Sequence, residues 1–283
     1  MISNARIASL PSTEGGSWEK NGFGARPQGL DKAAGIRLLH IAAILAKERT
    51  TPVWDFVMRT LGSTVLLIAQ FAFLRGLDPS GDALRYLALA RTAFACSGGQ
   101  LLERFLIDGY MNGSLMMDVI TPIYPLAFIM ARSFAGMLAS AAATLPGVLV
   151  VALLFGGMPS VSLQGAALYA ASLIFVWLAS TGIALISSAI GAALKQGEAA
   201  VQLRVFVTQL ASGALIPVYL YPDWVQRVIR VLPFVHLADT SVAIALGASV
   251  SSMYPQIIWS AALLGIGIAL WRRRLARLEV YGG

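Results

Sequence analysis

The chain has 283 residues, of which 57% are hydrophobic and only 12% are charged, and its mean hydropathy is +0.73. So few charges cannot cover the water-facing surface of a soluble protein of this length, which makes the lipid bilayer the expected solvent. The single cysteine, Cys96, excludes an internal disulfide framework and any cysteine-based metal cage. The net charge of +7 lies mainly at the flanks of apolar stretches, which favours contact with membrane lipids over nucleic acid.

The N-terminal region divides into two parts. Residues 1–31 are rich in glycine, serine, proline and charge, which predicts a flexible cytoplasmic tail. They lack the basic start and apolar run of a secretory signal, so we expect the N-terminus to stay inside. In residues 32–50 the leucines and alanines from Leu38 to Ala46 share one helical face. This pattern predicts either an amphipathic helix along the membrane interface or a soluble helix packed on the cytoplasmic side.

An all-α integral membrane domain is predicted for residues 51–274, because a helical crossing needs about 20 mostly apolar residues. The second predicted span is the weakest because it contains Arg91, and an arginine near the centre of a membrane helix costs about 2.5–3.5 kcal/mol. Residues 275–283 are predicted to be a cytoplasmic tail. The six predicted spans are about 57–74, 84–101, 126–155, 163–194, 201–220 and 254–271.

The distribution of basic residues predicts the orientation of these spans. With both termini inside, sixteen lysines and arginines fall on the cytoplasmic side and four fall outside. Because basic residues are retained on the cytoplasmic side of short loops, this imbalance favours an N-in, C-in topology.

The sequence contains none of the common catalytic signatures. It has no phosphate-binding loop, no zinc-protease motif and no nucleophile elbow, so hydrolysis of nucleotide by this chain is not expected. The two histidines, His40 and His236, fall on opposite sides of the predicted membrane. No predicted span interior contains Asp or Glu, which disfavours a proton relay. No catalytic residue and no metal site are therefore predicted.

Two connecting segments carry more information than the spans. Residues 103–125 mix charge with leucine and methionine, which predicts a short helix on the cytoplasmic surface. In residues 217–255 the pattern of apolar and charged residues predicts short amphipathic helices that enter the outer membrane interface. Their apolar side is predicted to hold Val225, Val228, Ile229 and Leu232. The tyrosines and tryptophan nearby fit the aromatic belt of a membrane interface.

Two strings in these segments, GYMNGSLMMDVITPIYPL and SGALIPVYLYPDWVQRVIRVLPFVHLADTSVAIALG, resemble the ABC-2 type permeases, the six-span membrane subunits of bacterial ABC exporters. The first contains a glycine-to-proline pattern from Gly113 to Pro122, although Asp118 to Thr121 departs from the leucine-rich sequence with arginine that relatives more often show. The resemblance covers about Lys32 to Arg274. The second string matches at Ser212, Gly213, Pro217, Pro222, Trp224, Leu232, Pro233 and Phe234.

The resemblance implies one permease of a pair, identical or paired with a sister permease, in the bacterial inner membrane. Two copies of a separate ATPase subunit would bind ATP and Mg²⁺, and this chain would bind no cofactor. It implies an ATPase-coupling helix at Glu103, Asp108, Gly113, Ser114, Leu115, Asp118 and Pro122. It also implies an outer re-entrant gate, between spans five and six, at Pro217, Pro222, Trp224, Pro233 and Phe234.

Two other functions remain open at this point. One is an integral membrane enzyme acting on a lipid-linked substrate with Arg91, Glu103, Arg132 or Asp239, and the other is a structural membrane anchor. For Arg91 as an intramembrane charge, the expected role is pairing with Glu103 or an interfacial phosphate, with an anionic ligand as the alternative. For an exporter, the resemblance implies drugs, antibiotics, lipids or glycans as cargo.

Overall fold

Every regular element in the part of the chain described by the computed structural model is helical. That part comprises residues 53–77, 81–111, 125–155, 160–194 and 197–278. The predicted tail and the predicted interfacial helix, residues 1–31 and 32–50, lie outside it. The nine α-helices are α1 Val53–Leu77, α2 Asp82–Ala95, α3 Gly99–Met111, α4 Pro125–Phe155, α5 Leu163–Leu194, α6 Gly197–Ala211, α7 Asp223–Val231, α8 Asp239–Ala245 and α9 Met253–Leu278. Three short 3₁₀ helices accompany them, at Val218–Leu220, Pro233–Leu237 and Val250–Ser252.

Four of the described helices are long and apolar enough to span a membrane. They are α1, α4, α5 and α9, and they coincide with the first, third, fourth and sixth predicted spans. The sequence signal was strong there because these helices keep many apolar side chains exposed, such as Val65, Leu153 and Ile258. The last helix continues to Leu278, past residue 275 where the predicted cytoplasmic tail begins.

The second predicted span, 84–101, is not a continuous helix. It is interrupted between Ala95 and Gly99, where Gly98 has a φ of +57° that side chains with a Cβ rarely adopt. A Cβ at Gly98 would also lie 2.5 Å from the backbone of Met137. The break therefore lets α4 approach the chain closely, and each half of the segment is only about 20 Å long.

The fifth predicted span, 201–220, is also wrong in its second half. The helix α6 ends at Ala211 and the chain then turns through Gly213, whose φ is +81°. Pro217 follows, and its ring removes the N–H that a continuing helix would need. Apolar composition extended the prediction past this turn, because composition does not report a left-handed glycine.

The helices α3, α5 and α9 run in the same direction. Gln256 of α9 donates a hydrogen bond to the Ser172 carbonyl of α5, and further along both helices Leu263 packs against Gly182. Because both sets of residue numbers increase in the same direction, α5 and α9 are parallel. Likewise Gly99 of α3 packs at Ser180 of α5, and a few residues later α3 reaches the C-terminal part of α5. The C-terminal ends of these three helices therefore lie at the same end of the bundle.

The two halves of the broken segment, α2 and α3, together run antiparallel to α4. The Phe105 and Phe128 rings are 5.9 Å apart near one end, and Gly98 meets Met137 in the middle. At the other end Val151 joins the cluster of α1 and α2 leucines. The segment therefore extends along α4 as one path with a central break.

Two further helices, α1 and α6, run in the direction of α4. The Ser63 hydroxyl donates to the Ala143 carbonyl, 3.3 Å away, and Phe71 lies near Phe155, so α1 and α4 are parallel. The helix α6 is antiparallel to α3, as described below from their side-chain contacts. In chain order the direction thus alternates from α1 to α2–α3, α4, α5, α6 and α9.

Candidate functional site

A cavity of about 280 Å³ lies at the break between α2 and α3. Its walls come from α1 and α4, from the end of α2, the break and the start of α3, and from Gln209 of α6. The described lining contains two arginines, Arg59 and Arg91, and no Asp or Glu. Its uncharged polar side chains are those of Ser63, Ser97, Gln100, Ser140, Thr144 and Gln209.

Arg91 is buried at this cavity, with 7% of its surface exposed. Its Nη2 donates a hydrogen bond to the side-chain oxygen of Gln70. The Gln70 amide in turn donates to the Leu215 carbonyl, 3.1 Å away, in the turn that follows α6. Among the described residues no acceptor bonds Arg91 Nε and no carboxylate forms an ion pair with this guanidinium. The predicted pairing of Arg91 with Glu103 is therefore wrong.

Glu103 binds a different arginine. Its carboxylate is fully buried, and the Arg204 Nε donates to Oε2 at 2.9 Å while Arg204 Nη2 donates to the same oxygen. The Ser187 hydroxyl donates to Oε1. These three side chains belong to α3, α6 and α5, so one buried ion pair joins three helices. Two neighbouring contacts show that α3 and α6 are antiparallel.

Both contacts lie nearer the C-terminus of α3 and the N-terminus of α6. Arg104 forms an exposed salt bridge of 3.0 Å with Glu198. Ile107 fits against Gly197, where a Cβ would lie 2.2 Å from the Ile107 methyl group. Such close contact with glycine fixes the two helices side by side.

The predicted coupling residues fall partly inside and partly outside the described structure. Glu103 lies in α3 and is buried, so the predicted loop boundary at residue 103 is wrong and the helix continues to Met111. Asp108 is exposed on α3. The remaining predicted coupling residues, Gly113, Ser114, Leu115, Asp118 and Pro122, lie outside the described residues.

The predicted gate segment folds as short helices, as the sequence indicated. Pro217 and Pro222 stand immediately before the 3₁₀ helix and α7, whose starts suit their fixed φ. Trp224 is exposed, Pro233 begins the next 3₁₀ helix, and Phe234 is half-buried against the α5 and α9 cluster.

The predicted apolar side of α7 is only partly buried. Ile229 is buried and Val225 is half-buried, but Val228 is exposed. Trp224, Val228 and Val231 instead form an exposed apolar row at helical spacing. The helix thus has two apolar faces, one packed inside the chain and one available to lipid or protein.

Two titratable groups, His236 and Asp239, follow α7 within residues 217–255. Burial raises the pKa of Asp239 above its ordinary value, although the hydrogen bond that its Oδ1 accepts from the Tyr86 hydroxyl, 2.6 Å away, acts in the opposite direction. Burial lowers the pKa of His236, whose Nδ1 lies 2.8 Å from the Thr240 hydroxyl. The Tyr86–Asp239 bond ties α2 to α8.

The four residues considered for a membrane enzyme occupy separate places. Arg91 bonds Gln70, Glu103 bonds Arg204, and Asp239 bonds Tyr86, while Arg132 lies over the Phe105 ring with 4.2 Å to its centroid. Within the described ranges, no three His, Cys, Asp or Glu side chains gather as a metal site would require. The described structure therefore offers no observation that favours this alternative.

Sequence reasoning missed Gln70 and Arg204 as parts of these sites. Gln70 had a detectable signal, since it is a lone amide in the apolar stretch of α1, and a buried amide needs partners. Arg204 was counted only as a cytoplasmic charge. Its pairing depends on the contact between α3 and α6, which the sequence does not specify.

No protein-family model and no curated protein matches this chain. The class of this protein is therefore inferred from its fold alone. Its all-helical described part and its four helices long enough to cross a bilayer define a multi-pass membrane protein.

Proposed function

We propose that the chain is the permease subunit of an ATP-driven exporter in the bacterial inner membrane, which moves its cargo out of the cytoplasm. The cargo class implied by the resemblance is a drug, antibiotic, lipid or glycan. ATP hydrolysis, with Mg²⁺, belongs to a separate ATPase present in two copies, and a second permease completes the membrane part. The chain itself is not an enzyme.

The observation that carries this proposal is the alternating direction of six helical segments. Besides the four long helices, the α2–α3 pair and α6 each continue this alternation. The α2–α3 pair contains 27 helical residues in two pieces of 14 and 13. At 1.5 Å per residue the two pieces together reach about 40 Å, enough to cross a core of about 30 Å. If all six segments cross the membrane, both termini lie on one side.

The parallel course of α3, α5 and α9 supports the proposed location of the coupling loop. Residues 112–124 follow directly after α3, and Arg272, Arg273 and Arg274 lie near the end of α9. Both therefore attach to the same end of the bundle. Since clustered arginines favour the cytoplasmic side, the coupling loop belongs on the side where an ATPase would dock.

The buried Glu103–Arg204 pair gives this loop a mechanical connection to the bundle. Closure of an ATPase dimer would push on residues 112–124 and hence on α3. Because Glu103 holds α3 to α6 and to Ser187 of α5, the three helices would move together as a body. Rigid movement of packed helices between two arrangements is a common transport transition.

The short helices between α6 and α9 form the outer gate in this proposal. Non-helical backbone at membrane depth is tolerated only where protein or water covers it. The exposed row at Trp224 is available for contact with the second permease. The gate would open when the helix bodies separate.

The first test is topology. In a Cys96→Ala background, we expect cysteines introduced as Ser114→Cys and Arg274→Cys to react with a membrane-impermeant reagent only from the cytoplasmic side. A cysteine introduced as Asp223→Cys should react only from the outside. Reaction of Ser114→Cys and Asp223→Cys from the same side would contradict the proposal.

The second test is dependence on an ATPase. The isolated chain should show no ATP hydrolysis, and it should copurify with an ATPase encoded beside it. Joint replacement of Gly113, Leu115 and Asp118 by alanine should abolish cargo-stimulated ATP turnover or assembly. The control Arg85→Gln, which removes an exposed arginine of α2 outside the coupling and gate segments, should keep both. Normal assembly and turnover in the triple variant would overturn the coupling assignment.

A further inference from the structure

We propose that the cavity at the break between α2 and α3 binds the phosphate headgroup of an amphiphilic molecule whose apolar chain remains in the membrane. The inference deepens the proposed function and rests on it for the claim that this amphiphile is cargo. Binding itself requires only this chain.

The first argument is the charge of Arg91. A buried guanidinium that lacks a counter-ion is unfavourable in a low-dielectric interior. In the described part of the chain, Gln70 supplies one neutral acceptor and Nε has none. An oxyanion in the cavity would satisfy Nε and neutralise the charge together, which is the interaction for which arginine is best suited.

The second argument is the character of the cavity wall. The described lining presents hydroxyl and amide groups beside two arginines and no carboxylate that would repel an anion. In addition, α3 begins at Gly99, and Gly98 and Gln100 both line the cavity. A helix N-terminus carries positive partial charge, and the half-helices of transporters place such ends at anionic groups.

The third argument is size and access. A cavity of about 280 Å³ lies just below the range of about 300–1,000 Å³ typical of drug-sized ligands, so it suits a headgroup but not a whole lipid. Leu66, one of its lining residues on α1, is half-exposed, and Leu61 and Val65 on the same helix are exposed. A ligand that arrives past these side chains comes from lipid, which favours an amphiphile over a free ion.

The test uses the full chain purified in a neutral detergent without ATP or partner. Three probes are titrated: short-chain phosphatidic acid, the diacylglycerol with the same acyl chains, and inorganic phosphate. We expect phosphatidic acid to raise the midpoint of thermal unfolding saturably. Diacylglycerol and inorganic phosphate at equal concentration should leave the midpoint unchanged.

Arg91→Gln should weaken phosphatidic acid binding by at least about tenfold, because a charge-assisted hydrogen bond is lost. Arg85→Gln removes an exposed arginine from the same helix and should bind like the unmodified chain. Ser140→Met fills the cavity from α4 while Arg91 stays in place, and it should abolish binding. This variant tests the site even if Arg91→Gln fails to fold.

Undiminished binding to Arg91→Gln or Ser140→Met would overturn the inference, as would equal binding of diacylglycerol. Inorganic phosphate that binds as tightly as phosphatidic acid would overturn the amphiphile assignment. Failure of this binding in a chain that still assembles with its ATPase removes only this inference. If phosphatidic acid binds as expected but the chain associates with no ATPase, only the exporter proposal is removed.

Discussion

The two halves of the broken segment, α2 and α3, each involve an arginine that is at most about a tenth exposed, but in different ways. The half α3 holds Arg204 of α6 through Glu103, so that positive charge is neutralised inside the packed helices. The half α2 carries Arg91 itself, which meets only an amide in the described structure and borders a cavity. The ion pair of Arg204 holds helices together. The guanidinium of Arg91, which has no described counter-ion and borders a cavity, is typical of a ligand-binding site.

The largest expected effect is at the paired half. Glu103→Gln leaves Arg204 buried without its counter-ion and should cost about 3–5 kcal/mol of unfolding free energy. The double variant Glu103→Leu with Arg204→Met should recover most of that loss, because apolar side chains replace a buried ion pair well. Denaturant unfolding in detergent measures both.

The control for this prediction is Arg104→Gln, which breaks the exposed salt bridge to Glu198. It should cost no more than about 1 kcal/mol, since exposed ion pairs contribute little. Equal losses in Glu103→Gln and Arg104→Gln would mean that burial does not distinguish the two pairs.

The next effect lies at the junction between the halves. Gly98→Ala places a Cβ on a left-handed residue and against the Met137 backbone, so it should cost about 2 kcal/mol or more. Gly62→Ala, in α1 with open space around it, should be neutral or stabilising by up to about 1 kcal/mol. Thermal unfolding of the two variants side by side tests whether the break is required.

A smaller effect of opposite sign is expected at the unpaired half. Without ligand, Arg91→Gln removes a buried charge that has no described counter-ion, so it should raise stability by a value on the order of 1 kcal/mol. The corresponding change in the paired arginine of α6, Arg204→Gln, should lower the stability. A loss in Arg91→Gln as large as that in Arg204→Gln would erase the difference between the two halves.

The smallest effect concerns pH at the contact between α2 and α8. Because the folded-state pKa of Asp239 is raised above its ordinary value of 3.8, the folded chain binds this proton more tightly than the unfolded chain. Its contribution to stability is therefore complete below pH 3.8 and is lost as the pH rises through the folded-state pKa. Asp239→Asn should remove this pH dependence.

Tyr86→Phe provides the refinement of that prediction. The Tyr86 hydroxyl stabilises the charged carboxylate, so its loss should move the transition to higher pH. The measurement belongs in a His236→Gln background, because the lowered pKa of His236 gives stability that is lost as the pH falls below 6.5. A transition unchanged by Tyr86→Phe would contradict the assigned hydrogen bond.

The sequence located the long helices well and the broken ones poorly. For α4 and α5 the predicted bounds differ from the observed ones by at most one residue, because glycine-rich and polar sequence ends each apolar stretch. For α2–α3 and α6 the predicted spans crossed Gly98 and Gly213. Both glycines lie within mostly apolar sequence, and a Cβ at either would clash with a residue distant along the chain, Met137 for Gly98 and Tyr86 for Gly213.

The candidate site shows the same division. Arg91 stood out in the sequence because an arginine within an apolar stretch demands an explanation. Its partner was predicted as Glu103, twelve positions along the chain, or an interfacial phosphate, whereas its hydrogen bond goes to Gln70. The actual partner of Glu103 is Arg204, about a hundred residues away, and no local pattern encodes such a contact.

The amino-acid sequence by itself determined that this is a membrane protein, since so many apolar residues and so few charges cannot form a water-facing surface. It also determined where α4 and α5 begin and end, and it located α1 and α9 without fixing their ends. Tertiary structure alone decided which buried arginine is neutralised and which borders a cavity. The physical reason is that hydrophobicity accumulates along the chain, whereas charge pairing and left-handed breaks depend on which helices meet in space.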